Sequence, residues 1–310
     1  ATISVVDEVG PVITRSGDSF VSHEVATTAY TDAGVTATDA IDGTVTVTTS
    51  GSVNADKTGT YLLTFSATDA ASNTSTTTRM VRVADTVAPV ISLEGSATVT
   101  HEGGTTYTDL GATADDALDG SVSVTTYGTV DTGTPGTQTL TYTATDAAGN
   151  VGAASRTVTV TDVTAPVITL GGSGSGTVTH EGGTTYTDDG ATAEDAVDGT
   201  VSVTTTGSVT VGTLGDYTLT YTATDAASNT STATRVVTVT DTTGPVISVS
   251  ESTTITHEAA ATYTDAGATA LDAVGGTLSV TTSGTVTVGT PGSYTLTYSV
   301  TDASGNTTTA

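Results

Sequence analysis

The chain has 310 residues, with 6 Lys and Arg against 33 Asp and Glu, no Cys, no Trp and 35 Gly. A formal charge of −27 argues against nucleic acid or an anionic membrane surface as partner, since either demands a cationic face. The lack of cysteine excludes disulfides, thiolate metal sites and cysteine nucleophiles, and no apolar run is long enough for membrane insertion. Ala1 opens the sequence without a basic-then-apolar leader. Thr, Val, Ser, Gly and Ala dominate, and apolar and polar residues alternate regularly, which reads as all-β.

Self-similarity organises the chain. Pro11, Pro89, Pro166 and Pro245 each precede Val-Ile, at a period of about 78 residues. The same period carries His23-Glu24, His101-Glu102, His180-Glu181 and His257-Glu258, then a Tyr-Thr-Asp triplet from Tyr30, Tyr107, Tyr186 and Tyr263. A third block begins at Asp69, Asp146, Asp225 and Asp302 and ends at Asn73, Asn150, Asn229 and Asn306. Four columns recurring four times make a tandem array. The expected boundaries are 8–85, 86–162, 163–241 and 242–310, with 1–7 as a separate strand.

Within the third unit, 166–170 reads as an edge strand, where a leading proline costs no ladder donor. A kink over 171–176 follows, and 177–180 resumes the strand. After a turn at Glu181, residues 186–193 are expected to run back and 194–199 to form an acidic loop. Residues 201–204 come next, then an irregular stretch over 209–215. Residues 217–224 alternate strictly, with Tyr217, Leu219, Tyr221 and Ala223 on one face and threonines on the other. A hairpin turn at 225–229 leads to the last strand, 234–240. Six or seven short strands per unit fit a two-sheet sandwich of immunoglobulin type, without the Cys…Trp…Cys pin. The whole is expected to be a tandem array of four immunoglobulin-like β-sandwich domains forming an elongated rod. Each core is thin, resting on small residues and a few tyrosines.

Three blocks carry a family resemblance: Thr-Asp-Thr-Thr-Gly-Pro-Val-Ile (240–247), Tyr-Thr-Asp-x-Gly-Ala-Thr-Ala (107–114, 186–193, 263–270) and Tyr-Thr-Ala-Thr-Asp-Ala-Ala-Gly/Ser-Asn (142–150, 221–229). Together they resemble the immunoglobulin-like repeats of bacterial surface proteins and giant adhesins, over essentially the whole chain. The resemblance implies the fold, an extracellular or cell-surface location and a structural or adhesive role. It implies no catalytic residues.

The repeats are cut out of phase. The fourth lacks the counterpart of 235–241, while residues 1–7, Ala-Thr-Ile-Ser-Val-Val-Asp, align with 79–85. One explanation is that Ile3, Val5 and Asp7 of one molecule fill the last unit of the next, building a head-to-tail filament. A second is a window from a longer array, and a third is a truncated cap.

Alternating strand directions bring acidic residues to one pole of each unit. Unit one offers Asp39, Asp42, Asp69 and Asn73 with linker Asp7; unit two, Asp116, Asp119, Asp146 and Asn150 with Asp85. Unit three offers Asp195, Asp198, Asp225 and Asn229 with Asp162; unit four, Asp272 and Asp302 with Asp241, and Gly275 where the others have a second loop Asp. Several carboxylates and an amide suit Ca²⁺ at the junctions, with unit four the weakest. The competing reading is turn chemistry alone, in which Asp and Asn cap tight loops. The His-Glu pairs read as polar turn residues. Arg79, Arg156 and Arg235 are expected beside the acidic pole as ion pairs of modest worth if exposed.

Catalysis is not expected, because carboxylates repeated four times without pocket aromatics do not make an active site. The leading function is a calcium-stiffened extracellular filament assembled from copies of the chain. The alternatives are a stalk segment of a long cell-surface adhesin, or an adhesion module that binds a ligand such as an extracellular polysaccharide.

Overall fold

The computed structural model describes residues 1–172 and 176–310; residues 173–175 of the expected kink lie outside the described residues. Repeat one shows how the pattern folds. Its strands are β1 (Val12–Arg15), β2 (Phe20–Glu24), β3 (Val35–Asp39), β4 (Gly43–Val45), β5 (Val47–Ser50), β6 (Gly59–Thr68) and β7 (Thr74–Ala84). One sheet has the order β1-β3-β4 and the other β2-β7-β6-β5. All pairings are antiparallel except β2 with β7, which is parallel. The first edge segment thus leaves one sheet at residues 16–19 and joins the other.

The long β6–β7 hairpin carries the core. Its register runs from Gly59↔Val83 to Thr68↔Thr74, so period-2 alternation turns Leu63, Phe65, Ala67, Val81 and Val83 inward. Tyr30, Val35 and Val47 close over that row. Repeat three packs the same way, with Ile168, Leu170 and Ala191 of one sheet on Leu219, Tyr221 and Val237 of the other.

Two compact units are present, Ala1–His101 with Thr106–Thr161, and Glu102–Thr105 with Asp162–Ala310. In the first, repeat two repeats the scheme, with Val90–Leu93, Ala112–Asp116 and Gly120–Ser121 in one sheet. Its other sheet holds Thr98–Glu102, Val151–Thr161, Gly136–Thr145 and Val124–Tyr127. In the second unit, repeat three forms Val167–Leu170, Ala191–Asp195 and Gly199–Val201 against Thr177–Glu181, Thr230–Thr240, Gly215–Thr224 and Val203–Thr206. The strand expected over 186–193 is shorter than its alternation suggests and begins only at Ala191. The acidic loop is tighter as well, because Glu194 and Asp195 still pair with Val167 and Gly199. One glycine column is obligatory: Gly51, Gly128, Gly207 and Gly284 take φ from 92° to 99°. A Cβ on Gly207 would lie 2.4 Å from the Thr218 carbonyl oxygen.

The arginine column overturns its expected place. Arg79, Arg156 and Arg235 are 1–2% exposed and lie mid-strand in the core, not at the acidic pole. Each pairs with the aspartate of a Tyr-Thr-Asp triplet: Arg79 with Asp32 at 2.5 Å, Arg156 with Asp109 and Arg235 with Asp188. Arg156 also donates to the carbonyl oxygens of Glu94, Ser96 and Gly111, and its guanidinium lies 5.6 Å from the Tyr142 ring centre. The reason is local. A long apolar stem fills a core short of large side chains, and the charged head of Arg156 makes five hydrogen bonds there.

Repeat four differs from the rest. Val246–Val249, Ala268–Asp272 and Gly276–Leu278 form one sheet as before. The other holds only Thr281–Ser283, Thr297–Thr301 and Thr307–Thr309. The strand at 297–301 has 5 residues where its counterparts have 10, and the segment around His257 is not a strand at all. Both follow from the same cause: in repeats one and three the parallel edge strand takes its hydrogen bonds from the last strand. Residues 1–10 form no strand, with Ile3 and Val5 about nine-tenths exposed.

Removing one partner of a buried charged pair strands the other. Arg156→Met is therefore expected to cost repeat two about 3–5 kcal/mol, read from hydrogen exchange of residues 136–161, and Asp109→Asn added to it should recover part of the loss. The pairs also set the pH range. Burial and the Asp109 carboxylate push the Tyr142 hydroxyl up to about 12, and burial with Asp188 does the same for Tyr221. Since each hydroxyl keeps its proton in the folded state, stability should fall as pH rises from about 10 to about 12. Burial acts to raise Asp109, but Tyr142 and Arg156 outweigh it and hold the carboxyl below its ordinary value. That contribution is present above the usual carboxylate range and is lost as pH falls below it, which an acid and alkaline melt series would check.

Candidate metal centre

Each acidic pole is built from a linker, a turn and a hairpin. In repeat two the turn places Asp116 at its head, where one oxygen, Oδ1, accepts hydrogen bonds from the Leu118 and Asp119 amides at 2.8 and 3.0 Å. Asp119 then ties the turn to the hairpin by accepting from the Ala147 amide at 2.8 Å. In the hairpin, Asp146 accepts from the Asn150 amide and, through its other oxygen, from the Asn150 side-chain nitrogen, both at 2.7 Å. That nitrogen also donates to the carbonyl oxygens of Asp85 and Val87. Asn150 thereby fixes the incoming linker on the hairpin.

These turns leave certain oxygens over. Asp85 Oδ2 and Asp116 Oδ2 are shut off from solvent and have no hydrogen-bond partner, and so are Asp7 Oδ2, Asp162 Oδ1 and Asp195 Oδ2. One oxygen from each of Asp7, Asp42 and Asp69 lies within 4.8 Å of the others. The same holds for Asp85, Asp116 and Asp146, for Asp162, Asp195 and Asp225, and for Asp241, Asp272 and Asp302. Among the described residues the ion pairs all belong to the core arginines, so no Lys or Arg neutralises these triads. Burial, reinforced by the carboxylates of Asp116, Asp146 and Glu24, raises the Asp85 pKa; burial with Asp195 and Asp225 raises that of Asp162. For Asp146, burial is outweighed by the hydrogen bonds from Asn150, and the pKa is lowered. A buried group of hard oxygen donors with unspent negative charge suits a divalent cation held by carboxylates and carbonyls.

Of the residues singled out in the sequence, twelve aspartates enter the four triads. Asp39, Asp119 and Asp198 do not: Asp39 caps its turn through the Ile41 and Asp42 amides, and Asp198 accepts from the Ala226 amide. Asn73 and Asn229 act as Asn150 does, each bonding its hairpin aspartate and a linker carbonyl. Asn306 does the same in repeat four. There, Gly275 removes the second loop carboxylate, and Ser304 donates to Asp241 Oδ2 at 3.1 Å.

The glutamate of each His-Glu pair has a role beyond the turn. Glu24 accepts from the Thr86 amide and hydroxyl, Glu102 from Thr164 and the Val163 amide, and Glu181 from Thr242 and the Thr243 amide. Each therefore grips the linker that leaves its own repeat. The adjacent histidine packs edge-on against the triplet tyrosine, His180 on Tyr186 at 5.1 Å. The fixed His-Glu column was the signal for this contact.

Comparison with known proteins agrees with the repeat structure. The model for "Bacterial surface protein, Ig-like domain" matches residues 13–83, 91–160, 168–239 and 247–310. No curated protein matches the chain. Among solved structures, extracellular cadherin domains 3–6 of protocadherin gamma B2 share 14% identity, covering 78% of this chain and 76% of that one, with a TM-score of 0.29. Mouse cadherin-23 EC22–24 shares 14% identity over 74% and 99% of the two chains, with a TM-score of 0.27. A lipoprotein from Bacteroides thetaiotaomicron shares 15% over 73% and 98%, with a TM-score of 0.24. Likeness at this level adds nothing to what the sheets and the family match establish. With four matches spanning most of its length, the chain belongs to the bacterial surface protein Ig-like domain family.

Proposed function

We propose that the chain is a structural segment of a bacterial surface stalk or filament, with Ca²⁺ joining its repeats and strand addition completing the fourth. The observation that carries the calcium reading is the set of buried, unpartnered carboxylate oxygens at the first three acidic poles. Three convergent carboxylates with nothing to neutralise them repel one another, and a cation turns that repulsion into a clamp. Because each triad takes one aspartate from the linker and two from the following repeat, a bound ion stiffens the linker and fixes the entry angle of the chain. Asn150 and Glu24 support the same linker from two sides. Calcium fits better than magnesium, which demands a stricter octahedron and gives up its waters reluctantly.

Calorimetric titration of metal-free chain with CaCl₂ is expected to show three comparable sites and a weaker fourth. Asp85→Asn should remove one of the three, and magnesium should bind far less tightly. Protons compete for the raised carboxyls of Asp85 and Asp162, so calcium affinity should drop as the solution is acidified. A flat titration at millimolar calcium would sink the clamp.

The strand-addition reading rests on repeat four. A groove of about 540 Å³ in repeat four is lined by Val249, Ile255, Tyr263, Leu296 and Tyr298 among others. Exposed Ile3 and Val5 stand at the register positions of Val81 and Val83, which are buried in repeat one. Inserting residues 1–7 of another copy would satisfy both surfaces and propagate a head-to-tail contact. Electron microscopy should find filaments from the intact chain in calcium and none from an Ile3→Asp/Val5→Asp variant. Monomers from both would remove donation by residues 1–7 while leaving the stalk.

A further inference from the structure

The outer faces of the four-stranded sheets carry threonines, and repeats one and three depart from that pattern in complementary ways. In repeat one, Phe20, Met80 and Leu62 form a row across β2, β7 and β6, paired as Phe20↔Met80 and Leu62↔Met80. All three point outward and are 43–54% exposed. Their counterparts in repeat two are Thr98, Thr157 and Thr139. The neighbouring row of repeat one holds Arg82 opposite Thr60. Of the six Lys and Arg, three are the core arginines, and the others, Arg15, Lys57 and Arg82, all lie in repeat one. Arg82 is exposed and has no ion-pair partner among the described residues. Repeat three changes the same two rows with the opposite charge. Half-buried Val236 stands at the place of Met80 and exposed Asp216 at that of Thr60. Asp216 accepts from the Thr238 hydroxyl through Oδ1 at 2.7 Å.

We infer that the outer face of repeat one docks on the outer face of repeat three of a second copy of the chain. The two sheets share one strand order. When one is turned over about an axis along its strands and laid on the other with strands aligned, the order reverses. Strand β7 then lies over Gly215–Thr224 and β6 over Thr230–Thr240, with rows preserved. Arg82 meets Asp216 and Leu62 meets Val236, while Met80 covers Thr218. Charge complementarity selects this partner. In the same register Arg82 would lie over Thr137 of a second copy's repeat two, or over Thr60 of its repeat one, and neither is an acid. The net charge of −27 opposes any pairing of copies, but physiological salt screens it beyond about 8 Å. The close opposite pair therefore fixes the site. Two rows are small beside the roughly 800 Å² per partner of a standard interface, so the contact is a weak one.

The test is sedimentation velocity on the full chain carrying Ile3→Asp and Val5→Asp, so that donation by residues 1–7 does not contribute, at physiological salt and up to about millimolar protein. The mean sedimentation coefficient is expected to rise with concentration. Phe20→Thr/Leu62→Thr/Met80→Thr, which gives repeat one the residues of repeat two, should weaken association at least about tenfold. Arg82→Asp and Asp216→Arg should each weaken it several-fold, and the two together should restore it. That rescue cannot come from a misfolded sheet, and the melting curve of each variant checks the fold separately. Monomers at every concentration would overturn the self-contact and leave the row to an unrelated acidic surface. Association that none of the variants changes would overturn it as well. Loss with the threonine variant but no rescue by the charge swap would overturn repeat three as the partner face.

Discussion

The fold depends on a charge placed where a sandwich of this size normally keeps only apolar groups. Thr- and Ala-rich strands supply few large side chains, and in each of the first three repeats the largest fully buried one is an arginine. Its stem adds apolar volume, while its head holds the first edge strand by carbonyl oxygens and the segment before the third strand by an aspartate. In Arg156 those contacts reach Glu94 and Ser96 on one stretch of chain and Asp109 and Gly111 on another. An alkyl side chain could fill the same space but could not bind those carbonyls. The arrangement carries a risk, since a buried ion pair stabilises only when all its partners are in place. It therefore couples the two sheets in an all-or-none manner.

The same pairing explains why the strand expected from Tyr186 onward starts late. Tyr186 and Asp188 leave the ladder so that the carboxylate can turn inward to Arg235 and to the Tyr221 hydroxyl. A backbone that stayed paired would alternate its side chains across the sheet and place this carboxylate on a face set by pleat rather than by the arginine. Here a polar contact overrides the alternation. The apolar rows on either side remain where their period puts them.

Much of the architecture was legible because period-2 alternation and fourfold repetition act together. Leu219, Tyr221 and Ala223 lie buried as the alternation of 217–224 requires, and the acidic residues converge because strand direction alternates. The arginines were misread for a physical reason. One arginine in a threonine-rich strand looks like a surface residue, and its partner lies far away in sequence. The constant separation of 47 residues between each Arg and its Asp was the available signal. Likewise, sequence could not divide the labour within the acidic loop. Asp39 and Asp116 both head their turns through Oδ1, yet Asp42 rather than Asp39 joins the triad of repeat one, while Asp116 joins that of repeat two. The choice depends on side-chain rotation over a few ångströms, not on residue type.

Turn capping and metal binding are therefore not rival accounts of the acidic residues. A carboxylate has two oxygens, and Asp116 spends Oδ1 on the amides of its own turn while Oδ2 points into the cluster with no partner. The turn fixes the carboxylate in place, which would lower the ordering cost of binding a cation there. Without the turn, three mobile aspartates would separate under their own repulsion. Repeat four shows what happens when one part is missing: Gly275 leaves the hairpin without its loop carboxylate, and a serine hydroxyl takes one oxygen of Asp241. Its triad stays together, but with less unspent charge.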